Sequence, residues 1–305
     1  MFKYHLLTTL IFFVFIVSGF AKQYDSAIYI NPNIIGEKDI SVFDTVTFTG
    51  WTYQEIFDRR KMEYSYEDVA AYQVQWDNGN GIEIQVHKEL FEHTNSEKIL
   101  SDYVIPFAYR VGQLPRFILD GIKRVVLLKG DERWSAALGS IYIHVDDEDS
   151  INSGYVEEVL IHEGGHAALD EKVSNSLEWK EAQLKDSIFI SKYAAENHDE
   201  DLTESLIAWI AVKYRNRRIS TSDSLNIVES IPFRLAYLDS LKLDMYPFDE
   251  PHEFDHLYEV NRNQDQYDDL EGAMTFDEFL FRAFLVFAAV ILFLLFRYRI
   301  RKNRY

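Results

Sequence analysis

Two long apolar runs bracket the chain. The first, over 6–17, follows a single early cation, Lys3, and gives way to Gly19, Phe20 and Ala21. A charged start, an apolar middle and a small-residue end predict a secretory signal peptide over 1–21, cut after Ala21. An uncleaved anchor is the competing reading of the same run, and either one exports the chain. The second run, 279–296, is apolar except for Arg282. It is long enough for one transmembrane helix, with a buried core helix as the competing reading. Arg297, Arg299, Arg301, Lys302 and Arg304 follow it. Such a cluster stays cytoplasmic and fixes the orientation, with the N-terminal part outside.

Between the runs the period changes once. Alternation over 45–48, and over 70–86 around the turn Asp77-Asn78-Gly79-Asn80-Gly81, predicts strands and a hairpin. A helix is expected over 96–111, then strands over 121–128 and 139–145. From Tyr155 to about Leu243 the apolar spacing is helical, with breaks. Strands first and helices afterwards predict an α+β domain over 22–248. After Pro247 the chain turns acidic and polar, so 249–278 reads as a juxtamembrane stalk, 279–296 as the span and 297–305 as the basic tail.

Composition sharpens this division. The 305 residues carry 31 Lys and Arg against 50 Asp and Glu, a net charge of −19. The two ends hold seven of the cations and no acid, which leaves 24 against 50 over 22–281, a net of −26. That balance argues against nucleic acid as a partner, because phosphate backbones are bound by clustered Lys and Arg. With no cysteine in the chain, disulfides, thiolate-held metals and thiol catalysis are excluded, so any metal must be held by His, Asp and Glu.

The segment His162-Glu163-Gly164-Gly165-His166 offers such a site. On a helix, histidines four apart stand one above the other and can share one zinc ion. Glu163 then lies beside the open coordination position, where a carboxylate can act as general base toward zinc-activated water. Val156, Val159 and Leu160 give this helix a core-facing stripe. Two adjacent glycines cost a helix roughly 1 kcal/mol each relative to Ala, and a merely core-filling helix gains nothing from them. A second match, His252-Glu253-Phe254-Asp255-His256, follows Pro251 in the acidic stalk without a leading apolar turn. It reads as a polar segment or an accessory metal site.

Catalytic zinc normally takes three protein ligands. The extended form of the motif with a third histidine fails, since Leu169 and Lys172 occupy the positions it requires. A carboxylate from a later helix is the remaining common solution. Glu200, Glu204, Ile207 and Ala211 fall on one helical face, and acids on a buried stripe need a partner. Glu200 is the candidate ligand, with Glu204 behind it, accepting a proton from the outer nitrogen of a ligating histidine. The competing reading makes Asn197 the cap of this helix and the acids near it favourable at its positive end.

With its HEGGH at 162–166 and the spacing of Tyr193, Asn197, Glu200 and Glu204, the chain resembles the lethal-factor-like zinc peptidases. That group includes the catalytic domain of anthrax lethal factor and the bacterial Pro-Pro endopeptidases. The resemblance implies a zincin-like domain: an N-terminal mixed sheet, an active-site helix and a C-terminal helical subdomain. It implies His162, His166 and Glu200 as zinc ligands, Glu163 as general base and Tyr193 as a donor in the transition state, with Asn197 and Glu204 behind them. It also implies an edge strand at 140–145 that pairs with an extended substrate, with His144 structural or substrate-facing. The expected function is a membrane-anchored, outward-facing zinc endopeptidase acting on proteins or peptides. A non-catalytic surface-binding or adhesion module that keeps the fold is the alternative.

Overall fold

The alternating stretch that begins at residue 43 folds as a hairpin much longer than its apolar pattern predicts. In the computed structural model, which describes residues 23–24, 34–36, 39–92, 94–147, 151 and 154–248, β1 is Phe43–Asp58 and β2 is Glu63–Trp76. Burial alternates over residues 50–58 of β1, but to residue 55 the exposed positions include Trp51 and Tyr53 and the half-buried ones Thr52 and Gln54, so polarity does not follow burial there. Cross-strand ring pairs hold the outer part of the ribbon instead: Tyr53 with Tyr66 and Phe57 with Tyr64, at centroid separations of 5.6 and 5.1 Å. The expected second hairpin is present, with β2 turning at 77–80 into β3, Gly81–His87.

Three further strands complete a mixed six-stranded sheet: β4, Arg124–Leu128, β5, Ser135–Ala137, and β6, Ser140–His144. Their order is β1-β2-β3-β4-β6-β5, with β3, β4 and β6 parallel and the other pairings antiparallel. The Val-Val-Leu-Leu and Ile-Tyr-Ile runs of β4 and β6 are buried, as suits parallel strands covered on both faces. Two expectations change here. Strand β4 starts at Arg124 rather than at 121, because Gly121 closes a short helix pressed against Ala168. Strand β6 is not the edge: β5 pairs along it, and the free edge belongs to that three-residue strand.

Helices follow as the period predicts. The 96–111 stretch is α1, Ser96–Ile99, a π turn over Leu100–Val104, and α2, Ile105–Val111. Helix α3 is Arg116–Gly121 and α4 is Val156–Leu169. After a π turn over Asp170–Ser174 come α5, Leu177–Asp186, α6, His198–Tyr214, α7, Thr221–Ser230, and α8, Pro232–Ser240. A fully buried ion network ties α5, α6 and α8 together: Arg234 bonds Asp201 at 2.8 Å and Asp186 at 3.0 Å. Among the described residues no helix is long and apolar enough to cross a membrane. The expected signal at 1–21, stalk, span at 279–296, basic tail and second match at His252–His256 all lie outside the described residues.

The two glycines of the motif have a packing reason. A Cβ on Gly164 would come within 2.4 Å of Ile118 Cγ2 on α3. One on Gly165 would meet Leu206 and Thr203 of α6 at 3.0 and 3.1 Å. Only bare backbone lets α4 lie this close to both neighbours, and this closeness brings the face of α4 to the face of α6.

Candidate metal centre

Helix α4 supplies His162, Glu163 and His166, and α6 supplies Glu200 in its first turn. The side chain of Asn197 caps α6, accepting from the amides of Asp199 and Glu200 at 2.9 and 3.0 Å. Asn197 is therefore the cap and touches the backbone of Glu200, not the side chains of the cluster. The cap fixes the turn from which Glu200 projects, so capping leaves its carboxylate able to face the histidines.

Three atoms converge between the helices. His162 Nε2 lies 3.1 Å from Glu200 Oε2 and 3.2 Å from His166 Nε2, and His166 Nε2 lies 3.4 Å from Glu200 Oε2. Donors about 2.0–2.1 Å from a tetrahedral ion stand roughly 3.3 Å apart, so this group could hold a metal ion. The outer nitrogens support the same reading. His166 Nδ1 is 2.8 Å from Asp170 Oδ2, and His162 Nδ1 is 3.3 Å from Glu204 Oε1. The first is a hydrogen bond and the second an ion-pair approach; a carboxylate near each outer nitrogen favours the tautomer with its proton there and Nε2 turned to the cluster.

Glu204 is fully buried, and its Oε2 accepts from the Ser191 hydroxyl at 2.7 Å. Asp170 was missed. It lies four residues beyond His166, so the same helical spacing that paired the histidines would have found it. It opens the π turn, and its side chain reaches back one turn to the ring.

The electrostatics follow from burial and crowding. Burial opposes charge on His162, but the carboxylates of Glu200 and Glu204 outweigh it and lift the ring to about 9. His166 is likewise disfavoured by burial and lifted to about 10 by Asp170 and Glu200. Glu200 is held far below the ordinary carboxylate range, its burial overcome by the two histidines. Burial pushes the Glu163 carboxyl up, while His162, His166 and the more distant Arg59 pull the other way.

Tyr193 stacks on His162 with ring centroids 5.9 Å apart and donates its hydroxyl to Glu200 Oε1 at 2.9 Å. Burial and the neighbouring acids push its hydroxyl well above the ordinary range, so it remains a proton donor. The preceding segment is pinned by Tyr24, whose N donates to Ile190 O and whose O accepts from Lys192 N. His144 lies away from the cluster, buried at the end of β6 with Nδ1 3.1 Å from Lys129 O. Comparison with protein families, with curated proteins and with solved structures returns no match.

Proposed function

We propose that the protein is a zinc-dependent endopeptidase with a zincin-like domain, anchored to a membrane and facing outward. The observation that carries this is the convergence of His162 Nε2, His166 Nε2 and Glu200 Oε2 with the half-buried carboxyl of Glu163 next along the helix. A purely structural ion cluster has no use for a further acid beside its ligands. Zinc held by His162, His166 and Glu200 would polarise a scissile carbonyl and bring the pKa of a water molecule down to about 7.

Glu163 takes a proton from the attacking water on its carboxylate as the oxygen–carbon bond forms. It returns that proton to the departing amine as the carbon–nitrogen bond breaks. The raised affinity of Glu163 for a proton, caused by burial, suits the second half of this exchange. Tyr193 donates to the carbonyl oxygen as it gains charge, turning its hydroxyl away from Glu200 Oε1. Asp170 and Glu204 keep protons on the outer nitrogens of His166 and His162. Outward placement rests on the expected signal peptide and span, and makes exposed polypeptide the substrate class.

The test combines metal content with a base variant. Purified protein should contain one zinc per chain. Glu163→Gln should keep the zinc and lose hydrolysis of a peptide library, whereas His162→Ala and Glu200→Ala should lose the zinc. Full hydrolysis by Glu163→Gln would sink the mechanism. Wild-type zinc affinity in Glu200→Ala would remove the third ligand.

A further inference from the structure

Tyr193 does not lie on a helix. It sits in the turn between α5 and α6, and a side chain on a loop keeps its place less well than one on a helix or strand. The turn needs an external fixture, because a misplacement of about 1 Å at a reacting group can cost about 100-fold in rate. Gln23 and Tyr24, far upstream in the sequence, supply it. Tyr24 forms a parallel bridge with Ser191, its N donating to Ile190 O at 2.9 Å and its O accepting from Lys192 N at 3.0 Å. Gln23 Nε2 adds a bond to Ser191 O at 3.0 Å. The bridge is anchored at its outer end as well. The Tyr24 hydroxyl donates at 2.7 Å to Asp223 Oδ1 in the first turn of α7, and Ser220, the cap of that helix, donates to Oδ2 at 2.7 Å.

Ser191 carries the bridge into the site. It is fully buried, and its hydroxyl makes two bonds of different kinds. It accepts from Ala194 N at 2.9 Å, which closes the turn that presents Tyr193, and it donates to Glu204 Oε2 at 2.7 Å. The other oxygen of Glu204 approaches His162 Nδ1 at 3.3 Å, while Tyr193 stacks on the same ring and donates to Glu200 at 2.9 Å. One hydroxyl therefore joins the turn of the proposed donor to the carboxylate behind a ligating ring. Alanine would fill nearly the same space, so the value of serine here lies in those two bonds.

We infer that Tyr24 and Ser191 are positioning residues of the proposed peptidase: Tyr24 fixes the turn from which Tyr193 faces the scissile carbonyl, and Ser191 sets Glu204 behind His162. Each acts through a residue of the site, Tyr24 by its backbone and its bond to α7, Ser191 by its hydroxyl.

The inference rests on the peptidase reading, and the test separates the two. In the zinc-loaded full chain with 13C-labelled tyrosine, the Tyr193 ring signal is assigned by its loss in Tyr193→Phe. Tyr24→Pro removes the amide that bonds Ile190 O and should shift or broaden that signal. On a peptide cleaved by the wild type, its kcat should fall about 10- to 100-fold while KM and zinc affinity stay within about 3-fold. In a Tyr193→Phe background the same substitution should change kcat by less than about 3-fold, because the two residues act as one. Ser191→Ala should weaken zinc binding about 10-fold in competition with a chromophoric chelator, an effect that should vanish in a Glu204→Gln background. Ser191→Thr, which keeps the hydroxyl, should recover part of the affinity. Thermal melts identify a variant that fails to fold; Tyr24→Phe, which loses only the bond to Asp223, then carries the first half of the test. An unmoved Tyr193 signal in the folded Tyr24 variant, or wild-type zinc affinity in Ser191→Ala, overturns the inference. A moved signal and weakened zinc binding in a chain whose wild type hydrolyses no library peptide overturn the peptidase reading and leave Tyr24 and Ser191 as clamps on a metal site.

Discussion

Replacing Gly164 by alanine sets two effects of opposite sign against each other. Alanine in a helix interior is favoured over glycine by roughly 1 kcal/mol. The added Cβ, however, would stand 2.4 Å from Ile118 Cγ2. That atom sits on the β-branch of a fully buried isoleucine, so no distal rotation removes it. Overpacking of this kind costs about 1–3 kcal/mol, and so short an approach belongs at the upper end. The net expectation is a loss of about 2 kcal/mol, or about 4–8 °C in Tm for a domain of this size. Gly165→Ala provides the internal comparison, since its new Cβ would meet Leu206 Cδ2 at 3.0 Å and Thr203 Cγ2 at 3.1 Å. Leu206 can yield at its tip, while Thr203 is held by hydroxyl bonds to the Asp199 and Glu200 carbonyls. Its stability should stay within about 1 kcal/mol of wild type, because the helical gain offsets a milder clash. Circular-dichroism melts of both variants decide the matter. A Gly164→Ala protein melting at or above the wild-type temperature would mean that α3 and α4 can separate freely, and the packing account of the paired glycines would fail.

Asp170→Asn removes the charge behind His166 and should weaken zinc binding by about 10- to 100-fold, measured by competition with a chromophoric chelator; unchanged affinity would make Asp170 a bystander. Glu158 is buried, accepts the Ile34 amide at 2.9 Å and is pushed by burial up to about 8. Because that exceeds its ordinary value of 4.5, its contribution to stability is complete below about pH 4.5 and is lost as the pH rises through 8. Glu158→Gln should accordingly flatten the fall of Tm between pH 5 and 8.5, and curves parallel to wild type would contradict the buried neutral acid. Arg234→Met leaves Asp186 and Asp201 buried without their cation and should cost about 3–5 kcal/mol in urea unfolding.

Much of the centre was legible because its spacing is local. His162, Glu163 and His166 lie within five residues of one helix, and Asn197, Glu200 and Glu204 lie within eight of another, so the helical period alone fixes which side chains share a face. The buried acid at 204 was conspicuous for the same reason, since an unpartnered carboxylate on an apolar stripe is costly. The outer half of the β1–β2 ribbon was not legible. Its burial alternates, but large rings such as Trp51 and Tyr53 take exposed positions, where cross-strand aromatic pairs hold them, while Thr52 and Gln54 take half-buried ones, so polarity in the sequence does not report the covered face.

The sequence by itself determined the α+β order, the helical pairing of the histidines and the face that carries Glu200 and Glu204. Only the tertiary structure decided that the two faces meet, because that depends on two glycines whose bare backbone lets α4 approach α3 and α6. It alone made β5 the sheet edge in place of β6, since edge position follows from pairing across the sheet and not from any property of one strand. It alone laid the far end of the β1–β2 ribbon over β4 and β6, where Ile56 packs with Val126, Leu128 and Tyr142. No local rule connects residue 56 with residues 126 and 142; the folded ribbon does.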